Sequence, residues 1–137
     1  MTNSWTAAVI TLFLWWFSTG AILWRVRHAD RAGGAAHGLS VLLGLPLLIA
    51  GVTGLALTRD AATIWGTYAA FLSALALWGW IELAFLSGII TGPNTQPCPP
   101  FARGWDRFWR AATTILWHEA LLVAALVLLA LGLRGAE

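Results

Sequence analysis

Four long apolar stretches separated by short polar ones define the pattern of this chain. They cover residues 5–24, 39–58, 61–91 and 111–133. Each reaches the roughly 20 apolar residues that a helix needs to cross the hydrocarbon core of a bilayer. No stretch alternates with a period of two, so we expect helices, which satisfy their own backbone hydrogen bonds in lipid. The pattern predicts an all-α polytopic membrane protein with four transmembrane helices in one domain.

The composition agrees with this assignment. Of the 137 residues, 59% are hydrophobic and 10% are charged, whereas soluble domains carry about 25% charged residues. The net charge of +2 is too small and too dispersed to predict nucleic-acid binding. The single cysteine, Cys98, excludes an internal disulfide and supplies no set of metal ligands. Because the N-terminal stretch lacks a basic region and a small-residue cleavage site, we expect the first segment to be retained as an anchor.

The eight basic residues are all arginines, and their distribution predicts an orientation. Six lie in the two loops on one side of the membrane, whereas Arg59 and Arg134 lie on the other. Cytoplasmic loops carry an excess of basic residues, so both termini are expected to be periplasmic. We expect the cytoplasmic side to dock on lipid or a partner through two tryptophans and these six arginines: Arg25, Arg27, Arg31, Arg103, Trp105, Arg107, Trp109 and Arg110.

The stretch before the fourth apolar segment has an amphipathic pattern. Phe101, Trp105, Phe108 and Trp109 share one face at helical spacing, and the arginines of residues 101–110 lie largely away from it. This pattern is typical of a helix that lies in the headgroup region. It predicts a short interfacial helix before the fourth transmembrane helix. The alternative is a plain basic flank of that helix.

Three ionisable residues interrupt the last two apolar segments: Glu82, His118 and Glu119. Glu82 lies nine residues before Thr91 and Glu119 nine residues after Arg110, which is about 14 Å along a helix in each case. Because the two segments run antiparallel from a shared loop, the three residues are expected at one depth. An ionised side chain that faces lipid there costs at least ~2.5 kcal/mol. We therefore predict an intramembrane polar cluster in which His118 bonds Glu82, while Glu119 faces a partner or a polar cavity.

Four interpretations of this cluster are open. It is a structural hydrogen-bond clamp, a contact to another subunit, an axial imidazole site in which His118 binds a bacteriochlorophyll or haem, or a proton or quinone pathway. A zinc-protease site is excluded because the sequence HEALL lacks a second histidine four residues after His118. Without a glycine-rich phosphate loop or a nucleophile constellation, we expect no catalytic residues, no metal site and no enzymatic activity.

Two further features predict how the helices pack. Ala50, Gly51 and Gly54 in the second segment, and Ala70 and Ala74 in the third, are small residues at helical spacing. Such residues allow close approach of helices in lipid. Pro46 predicts a kink in the second segment.

Several motifs occur in the same order as in a known family. They are WWFSTGAILW (Trp15–Trp24), WGWIELAFLSGIITGP (Trp78–Pro93), PCPPFARGWDRF (Pro97–Phe108) and HEALL (His118–Leu122). Together they resemble the PuhE family, multi-spanning membrane proteins of purple-type phototrophic bacteria described as photosynthetic-complex assembly proteins. The resemblance corresponds to the N-terminal half of a family member. Family members carry His-Glu where this chain has Ile81-Glu82, so a role that needs one imidazole from each helix is not expected.

The resemblance implies a function and a location. It implies an accessory subunit or assembly factor of the photosynthetic reaction centre–LH1 (light-harvesting complex 1) complex, in the bacterial inner (photosynthetic intracytoplasmic) membrane. Partners would be membrane lipid and the LH1 and reaction-centre subunits, joined by helix packing. The resemblance identifies no definite cofactor, and the candidates are bacteriochlorophyll, carotenoid or bound lipid. The alternatives are a pigment or quinone binding protein and a small proton or solute transporter.

Overall fold

The structure is a computed structural model that describes residues 4–94 and 96–132. Five helices follow one another: α1 (Ser4–Ala32), α2 (Ala36–Leu43), α3 (Leu45–Thr58), α4 (Ile64–Leu86) and α5 (Gly104–Gly132). Because α2 and α3 follow each other across Gly44, they form one segment, Ala36–Thr58. This segment and α1, α4 and α5 are each long and apolar enough to cross a membrane. The predicted all-α fold with four spanning segments is confirmed.

Successive spans run in opposite directions, so the α1–α2 turn and the α4–α5 connection lie at the same end of the molecule. We call this the basic end, because it carries the six arginines of the two predicted loops. α3 and α4 form the most extensive pair, and α1 packs against α2 and α4. Of the described helices, only α4 comes within 8 Å of α5, measured between Cα atoms. α5 is therefore the least embedded of the spans.

The kink predicted near Pro46 is present as a break at Gly44. Pro46 lies in the first turn of α3, where its missing N–H is tolerated. Trp80 of α4 packs at this break, and its Nε1 donates a hydrogen bond to the Val41 carbonyl at 3.2 Å. A Cβ at Gly44 would lie 3.2 Å from both Trp80 Cδ1 and Leu83 Cδ2, so glycine gives α4 the room to approach.

The closest approach of two spans is between α3 and α4. A Cβ at Gly51 would lie 2.8 Å from the backbone nitrogen of Leu77 and from the Ser73 carbonyl oxygen. A Cβ at Gly54 would likewise collide with the Ser73 side chain. Small residues thus bring these helices together as predicted at Gly51 and Gly54. The prediction was wrong for Ala50 and Ala74, which are exposed on the outside of the pair.

The third spanning segment is shorter than predicted. α4 begins after Thr63, whose side-chain oxygen accepts a hydrogen bond from the Gly66 amide at 3.0 Å. It ends at Leu86 instead of Thr91. Gly88, with φ +73°, donates to the Phe85 carbonyl, and Ile89 donates to the Ala84 carbonyl. This pair of bonds around a left-handed glycine is a Schellman motif, which terminates a helix.

The amphipathic stretch differs from its predicted form. Residues 104–110 are the first turns of α5 and continue without a break into the fourth span, while Phe101 precedes the helix. The prediction of a separate interfacial helix was therefore wrong, because no helix-breaking residue stands between Arg110 and the apolar segment. α1 likewise extends past Trp24 to Ala32 and includes Arg25, Arg27 and Arg31. The predicted fourth-segment end at Leu133, and Arg134, lie outside the described residues.

A small buried cluster lies towards the basic end. Val41, Leu83 and Ala84 are buried there, with Ile22, Val26, Trp80 and Ile90 packed around them. Most other large apolar side chains are exposed, which is the expected surface of a chain whose surroundings are lipid. The cluster fixes the last turns of α4, and these turns carry Glu82.

Candidate functional site

Two of the three predicted intramembrane residues meet between α4 and α5. His118 Nε2 lies 3.1 Å from Glu82 Oε2. His118 is 7% exposed, and the Glu82 side chain is 21% exposed. Counting from Arg110 along α5, His118 is eight residues, or about 12 Å, deeper in the bundle. We call these two residues the intramembrane pair.

An aromatic ring of α4 covers one face of the His118 imidazole. The Phe85 ring stacks on the His118 imidazole with 4.1 Å between centroids and 20° between planes. Phe85 stands one turn after Glu82, so the two side chains lie on one face of α4 and hold the imidazole together. Pattern reasoning on the sequence did not identify Phe85, although its spacing of three residues from Glu82 was visible.

The second imidazole nitrogen takes no part in this contact. His118 Nδ1 is buried and has no hydrogen-bond partner among the residues that the structure describes. A carboxylate oxygen can accept a hydrogen bond from an imidazole N–H, so the contact with Glu82 satisfies one of the two ring nitrogens.

Glu119 does not join this pair. It is exposed on α5, about 100° around the helix from the buried His118. It makes no hydrogen bond or ion pair with residues 4–94 or 96–132. Its neighbours at helical spacing, Leu116, Val123 and Leu126, are exposed too. These four residues form what we call the outer α5 face, an apolar surface with one carboxyl group in it.

The connection between α4 and α5 supplies a second attachment for α5. Asn94 Nδ2 donates to the Arg110 carbonyl at 3.0 Å and to the Thr114 hydroxyl at 3.3 Å. Gly92, with φ +72°, lies against the Trp117 ring, and a Cβ there would come 2.6 Å from Trp117 Cγ. α5 is thus held at two levels, by Asn94 near the basic end and by the intramembrane pair deeper in the bundle. Sequence reasoning identified only the deeper level.

The predicted docking residues all lie at the basic end. Trp105 is 74% and Trp109 is 57% exposed, and Arg110 Nε bonds Asp106 Oδ1 at 3.1 Å. An unpredicted contact ties α1 to α2 there, because His37 Nε2 lies 3.1 Å from Asp30 Oδ1. The other predicted docking residues stand on the last turns of α1 or just before and within the first turns of α5: Arg25, Arg27, Arg31, Arg103 and Arg107.

The geometry limits how a pigment or a metal could bind. Nε2 of His118 is engaged by Glu82, and Phe85 covers one ring face. Axial ligation of a tetrapyrrole by His118 would therefore require the intramembrane pair to open. Among the described residues, no group of three or more His, Cys, Asp or Glu side chains is placed to hold a metal ion.

Comparison with known proteins identifies the family. A family model described as "Protein of unknown function (DUF3623)" matches residues 1–137, so the chain belongs to that family. The chain is 55% identical over 130 residues to the "Uncharacterized 30.4 kDa protein in puhA 5'region" of Rhodobacter capsulatus. This match covers 95% of the chain and 47% of the relative, so the chain spans about half of the relative's length. No solved structure matches.

Proposed function

From the membership of this chain in the DUF3623 family, we propose that it is a non-enzymatic membrane subunit or assembly factor of the reaction centre–LH1 complex. The relative's description places it in the region 5' of puhA, which agrees with the photosynthetic context implied by the resemblance to the PuhE family. The proposed location is the photosynthetic intracytoplasmic membrane, with both termini periplasmic. The proposed partners are the reaction-centre and LH1 helices together with the surrounding lipid.

The observation that carries this proposal is the outer α5 face. Glu119 is exposed on an apolar helix surface, nine residues beyond Arg110, at about 14 Å along the helix axis. A charged carboxylate facing lipid at such depth costs at least ~2.5 kcal/mol, and a hydrogen-bond donor on a neighbouring helix would remove that cost. The partner is thus a spanning helix that presents a donor to Glu119 and apolar side chains around it.

The intramembrane pair supports such docking by fixing α5. Of the described helices, α5 approaches only α4, and His118 and Glu82 form the polar contact between them. One side of α5 then packs against α4, and the outer α5 face is available to a partner. In this proposal the pair is structural: it sets the rotation and depth of α5, and so the position of Glu119.

The experiment is quantitative mass spectrometry of purified reaction centre–LH1 particles, combined with deletion of the gene. One copy or more of the chain per reaction centre identifies a stable subunit. Absence from the particles, together with a lower particle yield in the deletion strain, identifies an assembly factor. Absence from the particles with an unchanged yield contradicts the proposal.

A second candidate, pigment binding, is favoured by one observation. An apolar cavity of about 270 Å³ opens between α1, α3 and α4, lined by Phe17, Ile22, Leu47, Leu72 and Gly79 among others. Its lining would suit the polyene of a carotenoid. In that case carotenoid absorbance would purify with the chain, and Gly79→Leu, which fills the cavity, would remove it while His118→Gln would not. Absorbance lost only in His118→Gln would instead indicate ligation of a tetrapyrrole.

A further inference from the structure

A second cavity lies at the basic end, between the α4–α5 connection and the first turns of α5. Its volume is about 250 Å³, and its lining includes Asn94, Gln96, Cys98, Arg107, Arg110 and Thr114. The lining is part polar and part apolar and contains two guanidinium groups, whereas the cavity deeper in the bundle is almost entirely apolar. It is therefore suited to a small charged group.

The hydrogen bonds around this cavity show which side chains form its wall and which remain available to bind a ligand. Asn94 Nδ2 and the Thr114 hydroxyl donate to the Arg110 carbonyl, so both are engaged in shaping the wall. Arg110 Nε is bonded to Asp106, which leaves its terminal nitrogens available. Arg107 makes no hydrogen bond or ion pair with the part of the chain that the structure describes. The cavity therefore offers donors mainly from two arginines.

The positive charge of the segment beside the cavity favours an anionic ligand. The segment 101–110 contains three arginines and one acidic residue, Asp106, so it carries an excess of two positive charges. Arginine donates paired hydrogen bonds to phosphate oxygens. A phosphate group is thus the ligand chemistry that matches the cavity in both charge and donors.

An apolar groove adjoins the cavity and shares one wall with it. Phe108, Trp109, Ala112, Ile115 and Leu116 line this groove, and Ala111 lines both the groove and the cavity. Trp105 and Trp109 are exposed beside them, and indole rings are enriched at the level of the lipid headgroups. A polar site for an anion thus lies directly next to an apolar site for a hydrocarbon chain.

We propose that the cavity and the groove together bind one anionic glycerophospholipid. Arg107 and Arg110 hold its phosphate, and one acyl chain lies in the groove beyond Ala111. Basic pockets of this kind at the cytoplasmic side of spanning helices suit anionic headgroups. The site needs no partner protein, and of the outer α5 face only Leu116 lines its groove.

The test is native mass spectrometry of the 137-residue chain, purified in detergent and mixed with equal amounts of phosphatidylglycerol and phosphatidylcholine. We expect selective retention of phosphatidylglycerol, reduced about fivefold in Arg107→Gln, since one basic residue near an anionic surface contributes on that order. Arg107→Lys, which keeps the charge, should retain more lipid than Arg107→Gln. The matched control is Arg31→Gln, which removes the same charge at the same end but outside the cavity.

Ala111→Trp tests the groove without changing any charge. Position 111 is exposed on the helix, and the larger indole ring there should fill the groove. The lipid should then be released, although both arginines remain. Circular dichroism checks that each variant keeps its helical content. Inorganic phosphate at the lipid concentration should not displace the lipid, because phosphate gains nothing from the groove.

Four results would overturn the proposal. They are equal retention of phosphatidylcholine, equal losses in Arg31→Gln and Arg107→Gln, full retention in Ala111→Trp, and displacement by inorganic phosphate. Failure of this site would leave the proposed role in the reaction centre–LH1 complex untouched, because none of the four measurements involves that complex.

Discussion

At the residue scale, the arrangement of α5 depends on the 3.1 Å contact between His118 Nε2 and Glu82 Oε2. Either side chain alone would leave a polar group in a nearly closed apolar site, and that costs free energy unless a partner is present. Phe85 stacks on the imidazole and limits its rotation. Together with the Asn94 bonds near the basic end, the contact fixes α5 relative to α4.

This contact can be measured with a double-mutant cycle. We expect His118→Ala and Glu82→Ala each to lower the free energy of unfolding, because each leaves its partner unsatisfied. Their coupling energy should be about 1 kcal/mol, the range of hydrogen bonds between helices in membranes. The joint replacement His118→Leu/Glu82→Leu should recover most of the loss, since apolar pairs often replace buried polar pairs without cost.

The measurement is denaturant unfolding in detergent micelles, followed by circular dichroism. Glu119→Gln is the matched control, because it changes a carboxyl group one residue away that has no partner among the described residues. A coupling energy near zero, or a loss in His118→Ala no larger than in the control, would show that the pair does not hold α5.

Residue-level contacts were only partly predictable. The prediction placed Glu82 and His118 at one depth by counting helical residues back from Thr91, but α4 ends at Leu86. The structure joins the two side chains, and the connection after α4 packs back along α5, where Gly92 lies against Trp117. The bond from Asn94 to Arg110 depends on the path of a connection that is rich in proline and glycine, and hydrophobic periodicity does not encode such a path. The Asp30–His37 contact was missed for the same reason.

At the element scale, the end of α4 shows how a helix can stop inside an apolar run. Ile89 and Ile90 continue the hydrophobic pattern past Leu86, so apolar length alone extended the predicted segment to Thr91. Gly88 takes φ +73°, and the two Schellman hydrogen bonds satisfy carbonyls of the last turn. The Ser87-Gly88 step was the available stop signal. The connection that follows then packs along α5.

Gly88→Ala should therefore destabilise the protein through the backbone alone. A Cβ at this position would meet nothing within 4 Å, so the expected loss of about 1–2 kcal/mol comes from placing an L-residue in the left-handed region. Gly20→Ala is the matched control, because Gly20 lies inside α1 and a Cβ there also meets nothing within 4 Å. The free energy of unfolding of both variants gives the comparison. Equal values for both would contradict the role assigned to Gly88.

Element types were more predictable than element boundaries. Apolar length and composition gave the four spans, since a bilayer imposes both. The aromatic and basic spacing of residues 101–110 predicted helix correctly for residues 104–110 and wrongly for residues 101–103, and it could not show that this helix continues into the fourth span. The break at Gly44 lies two residues before Pro46, which lacks the N–H that would bond the Leu42 carbonyl, and Gly44 leaves room there for Trp80 and Leu83 of α4.

At the scale of the whole molecule, the basic end predicts an orientation in the membrane. Six arginines stand there, and cytoplasmic loops carry an excess of basic residues, so we expect this end in the cytoplasm. Cys98, the single cysteine of the chain, is exposed in the connection at this end. A membrane-impermeant maleimide should therefore label Cys98 in inverted vesicles and leave it unlabelled in intact spheroplasts.

A cysteine at the opposite end of the molecule provides a control with the opposite expected labelling. Asp60 is exposed in the turn between α3 and α4, so the Cys98→Ser/Asp60→Cys variant should be labelled in spheroplasts and protected in inverted vesicles. The reverse pattern for the two cysteines would show that both termini face the cytoplasm and would move the proposed lipid site to the periplasmic leaflet.

The packing of the described helices leaves one surface of α5 open. α3 and α4 pack closely through Gly51 and Gly54, whereas α5 contacts the other described helices only through α4. The outer α5 face, with Glu119 in its centre and apolar residues around it, is therefore the surface on which the proposed function places a partner helix.

The most direct test is site-specific photo-crosslinking in photosynthetic membranes, with a photoreactive amino acid at position 123 on the outer α5 face. The control position is Leu57, which is exposed on α3 at the opposite end. We predict a protein adduct with a reaction-centre or LH1 subunit from position 123, weakened by Glu119→Leu, and little or none from position 57. Adducts with lipid alone at position 123, or equal protein adducts from both positions, would contradict partner docking on this face.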